Sequence, residues 1–515
     1  MTILPLVERE VRIATRRPHA YRIRLGIATG AMVIAVWGLW AWSSWIAGAF
    51  VGHSLFRTLA GIAFVGSLGA GVLLTADGLS QERREGTLGL LFLTDLRPAD
   101  IVFGKLAAKA LLPFYGLLAL LPALSVFTVV GGVTGGELCR TMLALANTLF
   151  VSLSVALFTS MLCTEQRLAH ALAFLAIAAL AGGSLVLGGL PNTRSAAIFK
   201  ALAHSFSLTA TFEFAEEKQF RAASALFQRS LVGSHLVGWI SLFLTCWGLP
   251  AAWKERKSAH TSVSLAFWLG RLGLPASSAR ARARMLDLNP LTWLGERLRL
   301  RALAVWALPL FALLSWYGLS LATSGPVRFA AALLWAGGVH VAARLWIAMD
   351  ASHAFGASRR DGTLESLLGT PLSSSEIASG MVVALRHRFL GPTLTVALIS
   401  LGAALKLFFA GESLAAAALV LAAATLALDI SCISWIGLWR GLSAKGSTAA
   451  ILWTTACTIC LPAAWFMLLR GLFEHSPPAE FLGPFLVMSV ANNLLFRASA
   501  RTRLDEHFRT LALRP

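Results

Sequence analysis

Charged residues are scarce in this chain: aspartate, glutamate, lysine and arginine make up 13% of its 515 residues, and the 25 acids are outnumbered by 44 bases. A soluble domain carries about a quarter charged residues. That class is excluded by 57% hydrophobic residues and a mean hydropathy of +0.71. The formal charge of +19 does not mark a nucleic-acid binder, because the lysines and arginines punctuate apolar runs instead of collecting in one basic stretch. Cysteine is sparse too. Its six copies lie in or beside apolar segments, which excludes an extracellular disulfide framework, and Cys457-x-x-Cys460, in an apolar run without nearby histidine or charge, reads as structural.

Catalytic signatures are also missing. No G-x-x-x-x-G-K-[ST] occurs, and the nearest string, Gly441 to Thr448, carries Ser447 where the phosphate-reaching lysine must stand. There is no H-E-x-x-H, no G-x-S-x-G and no His/Cys set at metal spacing. The chain is therefore expected not to be an enzyme and to need neither cofactor nor metal.

What the chain does have is an internal repeat. The stretch from Asp77 to Lys105 returns as His353 to Met381, and windows 83–104 and 359–380 align without a gap at an offset of 276 residues. They share ten identities in 22 positions: Arg83/Arg359, Arg84/Arg360, Gly86/Gly362, Thr87/Thr363, Leu88/Leu364, Leu91/Leu367, Thr94/Thr370, Leu96/Leu372, Ile101/Ile377 and Gly104/Gly380. Paired arginines at the bilayer centre would each cost roughly 2.5–3.5 kcal/mol, so both loops are expected to leave the membrane. Gly86 and Gly362 suit the end of one short helix, while Thr87 and Thr363 are placed to cap the start of the next. Ser373 and Glu376 have capping-box spacing. Each copy thus predicts a pair of short amphipathic helices, with leucines on one face, shaped for a partner's groove.

The pattern E-R-R-x-G-T-L-x-x-L-L-x-T-x-L, followed by an acid, an aliphatic residue and a glycine, resembles the first cytoplasmic loop of ABC-2 type transporter permeases. Glu82, Arg83, Arg84, Gly86, Thr87, Leu88, Leu91, Thr94, Leu96, Gly104 and Lys105 fit it, whereas Asp95 stands where the family prefers proline. In the second copy Thr370-Pro371-Leu372-Ser373 fits better, but Ser358 replaces the glutamate and Met381 the lysine. The resemblance implies an exporter's membrane subunit served by a separate cytoplasmic ATPase, expected in two copies. It places the contacts at Glu82, Arg83, Arg84, Gly86, Thr87, Leu88 and Leu91 in the first loop. In the second they are Arg359, Arg360, Gly362, Thr363, Leu364 and Leu367. Glu82 offers a charged contact that Ser358 cannot, so the first loop is the expected stronger anchor.

Apolar runs extend this to the whole chain: an all-α integral membrane protein of about twelve transmembrane helices, built as two six-helix repeats. Each repeat carries its loop between its second and third helices. The expected division is 1–253, a basic linker 254–288, and 289–515. Basic residues concentrate in the segments this layout puts inside, which makes both termini and the linker cytoplasmic, in a bacterial inner membrane. Residues 191–230 then fall outside, either as a small helical cap, which the family resemblance implies and the apolar anchors Phe212, Phe214, Phe220 and Phe227 favour, or as a tolerated long loop.

Within the predicted spans, His340, Arg344 and Asp429 need explaining, since ionisable groups there are costly. Their counterparts 276 residues earlier are Phe64, Leu68 and Leu153, so none is duplicated. An interhelical hydrogen bond, or Arg344 reaching the inner surface, is favoured over a His340–Asp429 proton relay. Two other functional classes stay in view: a six-plus-six ion-driven transporter, and a membrane enzyme using His340, His353 and Asp429.

Overall fold

A computed structural model describes residues 24–33, 35–36, 48–93, 96–163, 165–188, 194–254, 299–322, 327–360, 362–444, 446–462 and 478–512. It is 93% helix, with no strand among the described residues. The chain divides into two compact units, Met1–Ala259 and His260–Pro515. Residues 1–23 and nearly all of the expected linker lie outside the described residues.

In the first unit the helices are α1 (Arg24–Val33), α2 (Gly48–Leu74), α3 (Gly78–Glu85), α4 (Thr87–Leu93), α5 (Pro98–Val130), α6 (Gly135–Leu162), α7 (Gln166–Gly188), α8 (Arg194–Phe206), α9 (Leu208–Glu213) and α10 (Glu217–Lys254). The second unit holds α11 (Arg299–Ala322), α12 (Val327–Arg360), α13 (Thr363–Leu368), α14 (Ser374–Phe409), α15 (Ser413–Ser443), α16 (Ser447–Thr455) and α17 (Pro478–Ala512). Helix α16 runs on through a π turn, Ala456–Cys460, whose freed Cys457 carbonyl accepts a hydrogen bond from Asn492 Nδ2 at 3.0 Å.

Six stretches are long and apolar enough to cross a membrane: Val51–Glu85, Pro98–Val130, Gly135–Leu162, Glu217–Ala252, Ser374–Phe409 and Ala416–Ser443. Four shorter apolar helices accompany them: Arg24–Val33, Leu168–Ser184, Val305–Ser320 and Ser447–Cys460. These support a membrane-embedded protein. The count among the described residues is six where the sequence predicts twelve, partly because several expected spans run into undescribed residues. Polarity matters as well: α12 carries His340, Arg344, Asp350 and His353 along its length, and α17 ends in a charged turn.

Each unit is organised around one helix. In the first this is α6, whose apolar window is 72% buried against 33% for α5, and which packs on α2, α5, α7 and α10. In the second it is α15, packed on α12, α14, α16 and α17. The contacts of α6 with α2 and of α15 with α12 are close enough to need glycine. A Cβ on Gly71 of α2 would stand 2.1 Å from the Ser152 carbonyl oxygen of α6, and one on Gly441 of α15 would stand 2.2 Å from that of Ser352 in α12. Across the α2–α6 contact, the Ser152 hydroxyl donates to the Ser67 carbonyl at 2.7 Å and Thr75 to that of Leu153 at 3.1 Å. Side-chain hydroxyls thus bond backbone carbonyls where close approach leaves no room for larger groups.

The 191–230 segment is helical where described. Phe212 stacks on Phe64 of α2 with ring centroids 4.8 Å apart, Phe220 and Phe227 meet edge to face at 5.7 Å, and Phe214 and Phe220 pack against Ala144 of α6. Arg140 of α6 fixes this segment to the bundle, pairing with Glu217 and donating to the Ala215 carbonyl at 3.1 Å.

Candidate functional site

The first arginine loop begins where α2 ends at Leu74 and a short turn, Thr75–Asp77, redirects the chain into α3. The amide groups of Leu79 and Ser80, which open that helix, both donate to the Ser160 hydroxyl of α6 at 3.0 Å. Gly86 ends α3 with φ 77°, a left-handed conformation that side chains disfavour, and the chain turns into α4. The apolar face of the loop then closes on its own unit. Leu79, Leu88, Ile101 and Val102 are buried with Leu157 and Met161 of α6 and with Leu242, Leu249 and Ala252 of α10, while Leu91 and Leu96 pack at the edge.

The charges of this loop are satisfied internally. Arg83 points back into the unit, its Nη1 donating to the Met161 carbonyl at 2.8 Å in the last turn of α6. Arg84 pairs with Asp77 at 2.7 Å. Glu82 accepts from Lys105 Nζ at 2.6 Å and from the Thr87 hydroxyl, so the expected contact with a partner would have to compete with two bonds already made. The Thr87 hydroxyl does not cap α4; it turns back toward residue 82, five positions earlier.

The second loop reproduces the turn with different flanks. Helix α12 continues unbroken to Arg360, so the first of the two short helices predicted here is the end of a 34-residue helix instead of a separate element. Gly362 has φ 70°, and the Thr363 hydroxyl again reaches five residues back, to the Ser358 carbonyl at 3.0 Å. Leu364 is fully buried and Leu367 half-buried. Arg359 Nη1 donates to the Leu442 carbonyl at 2.8 Å, in the last turn of α15. The side chain of Arg360 lies outside the described residues. Ser373 caps α14, its hydroxyl accepting from the Glu376 amide at 3.2 Å while Glu376 accepts from the Ser373 amide at 2.8 Å. At the matching place in the first unit, Asp100 accepts from the Arg97 amide at 2.9 Å.

What each loop presents outward is set by residues that the repeat does not share. Leu90 and Leu93 are 62% and 80% exposed in the first loop, and the positions 276 residues later are exposed Ser366 and Gly369. The repeat gives no sign of this exposed pair, because its identical positions mostly face inward.

Deep in the second unit, Asp429 of α15 pairs with Arg344 of α12 at 2.6 Å and accepts from Asn493 of α17, while Arg344 also donates to Thr425 at 3.1 Å. His340 meets Ser400 of α14 instead, at 2.9 Å from Nε2. The Ser400 hydroxyl also lies 3.0 Å from the Val396 carbonyl one turn earlier. His340 and Asp429 are thus given separate partners, and Thr425, Ser400 and Asn493 complete a network the sequence did not announce. A second buried ion pair, Asp350 with Arg388, joins α12 to α14. Among the described residues, no cluster of three or more His, Cys, Asp or Glu could hold a metal ion.

Comparison with known proteins finds no family model that matches this chain and no curated protein that matches it.

Proposed function

We propose that this chain is the membrane-spanning subunit of an ABC-2 type exporter. Two six-helix halves would give twelve spans in a bacterial cytoplasmic membrane, with both termini and the linker inside. Each arginine loop docks on a separate cytoplasmic ATPase subunit, whose nucleotide-driven closure is converted into helix motion. The observation that carries this reading is the common build of the two loops: a left-handed glycine at 86 and 362, an arginine donating into the end of a central helix, a buried leucine two residues after the glycine, and an acid bonding the amide three residues before it at the next helix start. Two exposed turns with that much shared geometry suit two copies of one partner. The sequence supplies the second support, since a chain without a phosphate-cradling lysine motif needs its ATPase from elsewhere.

The test is co-purification. An ABC ATPase from the same genome, co-expressed with a tagged version of this chain, should be retained by it and should turn over ATP. The isolated chain should not hydrolyse ATP. Sustained hydrolysis by the chain alone, or failure to retain any ABC ATPase from that genome, would sink the proposal.

A further inference from the structure

Resting on that reading, we propose that Arg83 and Arg359 are not docking groups but transmission residues, which fasten each loop to the end of its unit's central helix so that loop displacement is delivered to α6 and α15. The evidence is a geometry that occurs twice. Arg83 Nη1 donates to the Met161 carbonyl at 2.8 Å, one residue before α6 ends at Leu162, and Arg359 Nη1 donates to the Leu442 carbonyl at 2.8 Å, one residue before α15 ends at Ser443. The last carbonyls of a helix have no partner within it and carry the negative end of the dipole, so a guanidinium there is held by both hydrogen bond and charge.

The attachment in the first unit has a second point. The Ser160 hydroxyl, one residue before Met161, accepts the amides of Leu79 and Ser80, so α3 is fixed at its start by Ser160 and further along by Arg83. Two consecutive residues of α6 therefore hold both ends of one short helix. In the second unit the corresponding fastening is the close approach of Gly441 and Gly437 to Ser352 and Ala351, just before Arg359 reaches Leu442. Each central helix packs on several other helices of its unit, so a push on its end reaches those neighbours directly.

The chain supplies its own reporter. Cys139 is exposed in the first turn of α6, at the end opposite Met161. With the other five cysteines replaced by serine, a maleimide should label Cys139 of the purified permease–ATPase complex at a rate that changes when ATP is added. In the complex it forms with the ATPase, Arg83→Gln should reduce the ATP-dependent change about tenfold, the size expected for losing one charge-assisted hydrogen bond. Arg83→Lys, which keeps a charged donor, should restore part of it. Ser160→Ala provides a milder second variant should Arg83→Gln accumulate poorly, and Arg359→Gln with Ser413→Cys repeats the test in the second unit. An unchanged Cys139 response in Arg83→Gln overturns the inference, and so does loss of ATPase retention, which would make Arg83 a docking residue after all. If the unaltered chain retains no ATPase, the parent reading fails and this one with it.

Discussion

Lys105 Nζ lies 2.6 Å from Glu82 Oε1, and the residues 276 positions further on are Met381 and Ser358, so both partners of this ion pair are replaced together by uncharged side chains in the second loop. The pair bridges the end of α3 to α5 across the Gly86 turn and is only about one-fifth exposed on either side. It ties the two segments to each other within the unit. It is an internal staple that the uncharged Ser358 and Met381 cannot form at the matching positions of the second loop.

Breaking the staple should be worse than removing it. Glu82→Gln or Lys105→Met alone leaves a partly buried charge without its partner and should cost about 1–3 kcal/mol of loop stability. The double change Glu82→Ser with Lys105→Met, which copies the second loop, should cost less than the two singles added together. Protease cleavage rates within residues 82–96 measure this; simple additivity would show that the two residues do not interact.

The two glycines of the turns should respond alike. Gly86→Val and Gly362→Val force a β-branched residue to φ 77° and φ 70°, where an ordinary side chain costs roughly 1–2 kcal/mol and valine more. At Gly362 nothing lies within 4 Å of an added Cβ, so the penalty there is conformational and asparagine should be tolerated better than valine. Retention of the ATPase by Gly362→Asn, and its loss in Gly362→Val, is the expected pattern. Equal retention by both would mean that the turn is not needed for docking.

How much of this was legible differs by residue. The left-handed glycines, the Ser373–Glu376 cap and the buried Leu88 and Leu364 follow from local rules, because turn geometry and capping depend on neighbours within four residues. Arg83 and Arg359 were legible as polar residues that must leave the lipid, but not as donors to Met161 and Leu442, since those carbonyls lie about eighty residues away and backbone acceptors leave no mark in sequence. Identity between the halves marks packing positions more than outward ones. Shared positions such as Leu88/Leu364 and Ile101/Ile377 are inward packing residues, and the exposed Leu90 and Leu93 sit at positions the repeat lets vary.

The close helix contacts yield a prediction on stability. Gly71→Ala and Gly441→Ala place a methyl group 2.1–2.2 Å from a backbone carbonyl oxygen, which neither helix can accommodate without moving. Each should cost about 1–3 kcal/mol, typical of overpacking. A thermal unfolding series in detergent checks this, with Gly69→Ala, whose added Cβ meets nothing within 4 Å, as the neutral control. A melting point unchanged in all three would show that these helices do not pack so closely.

The Arg344–Asp429 pair admits a sharper experiment, because the first unit carries leucine at both matching positions, 68 and 153. Asp429→Leu alone strands a buried guanidinium and should destabilise by about 3–5 kcal/mol. Arg344→Leu with Asp429→Leu removes the whole pair and should recover most of that loss. If the pair only joins helices, the double variant keeps the ATP-dependent response of a Ser413→Cys reporter; loss of that response in a stable double variant would reveal an ionisable step within the second unit.

The π turn at Ala456–Cys460 inserts one residue into an otherwise regular helix, and each residue of an α-helix turns the chain by about 100°. Leu461 and Pro462, which follow it in the helix, are thus rotated by that angle relative to the face set by Ala450, Ile451 and Thr454. A one-residue deletion within the turn would rewind the helix, reverse the rotation and withdraw the Cys457 carbonyl from Asn492, whereas a substitution there leaves the phase unchanged. At this point of the second unit the number of residues constrains the chain more tightly than their identity, and tolerance to an indel, not to a mutation, is where that constraint would be felt.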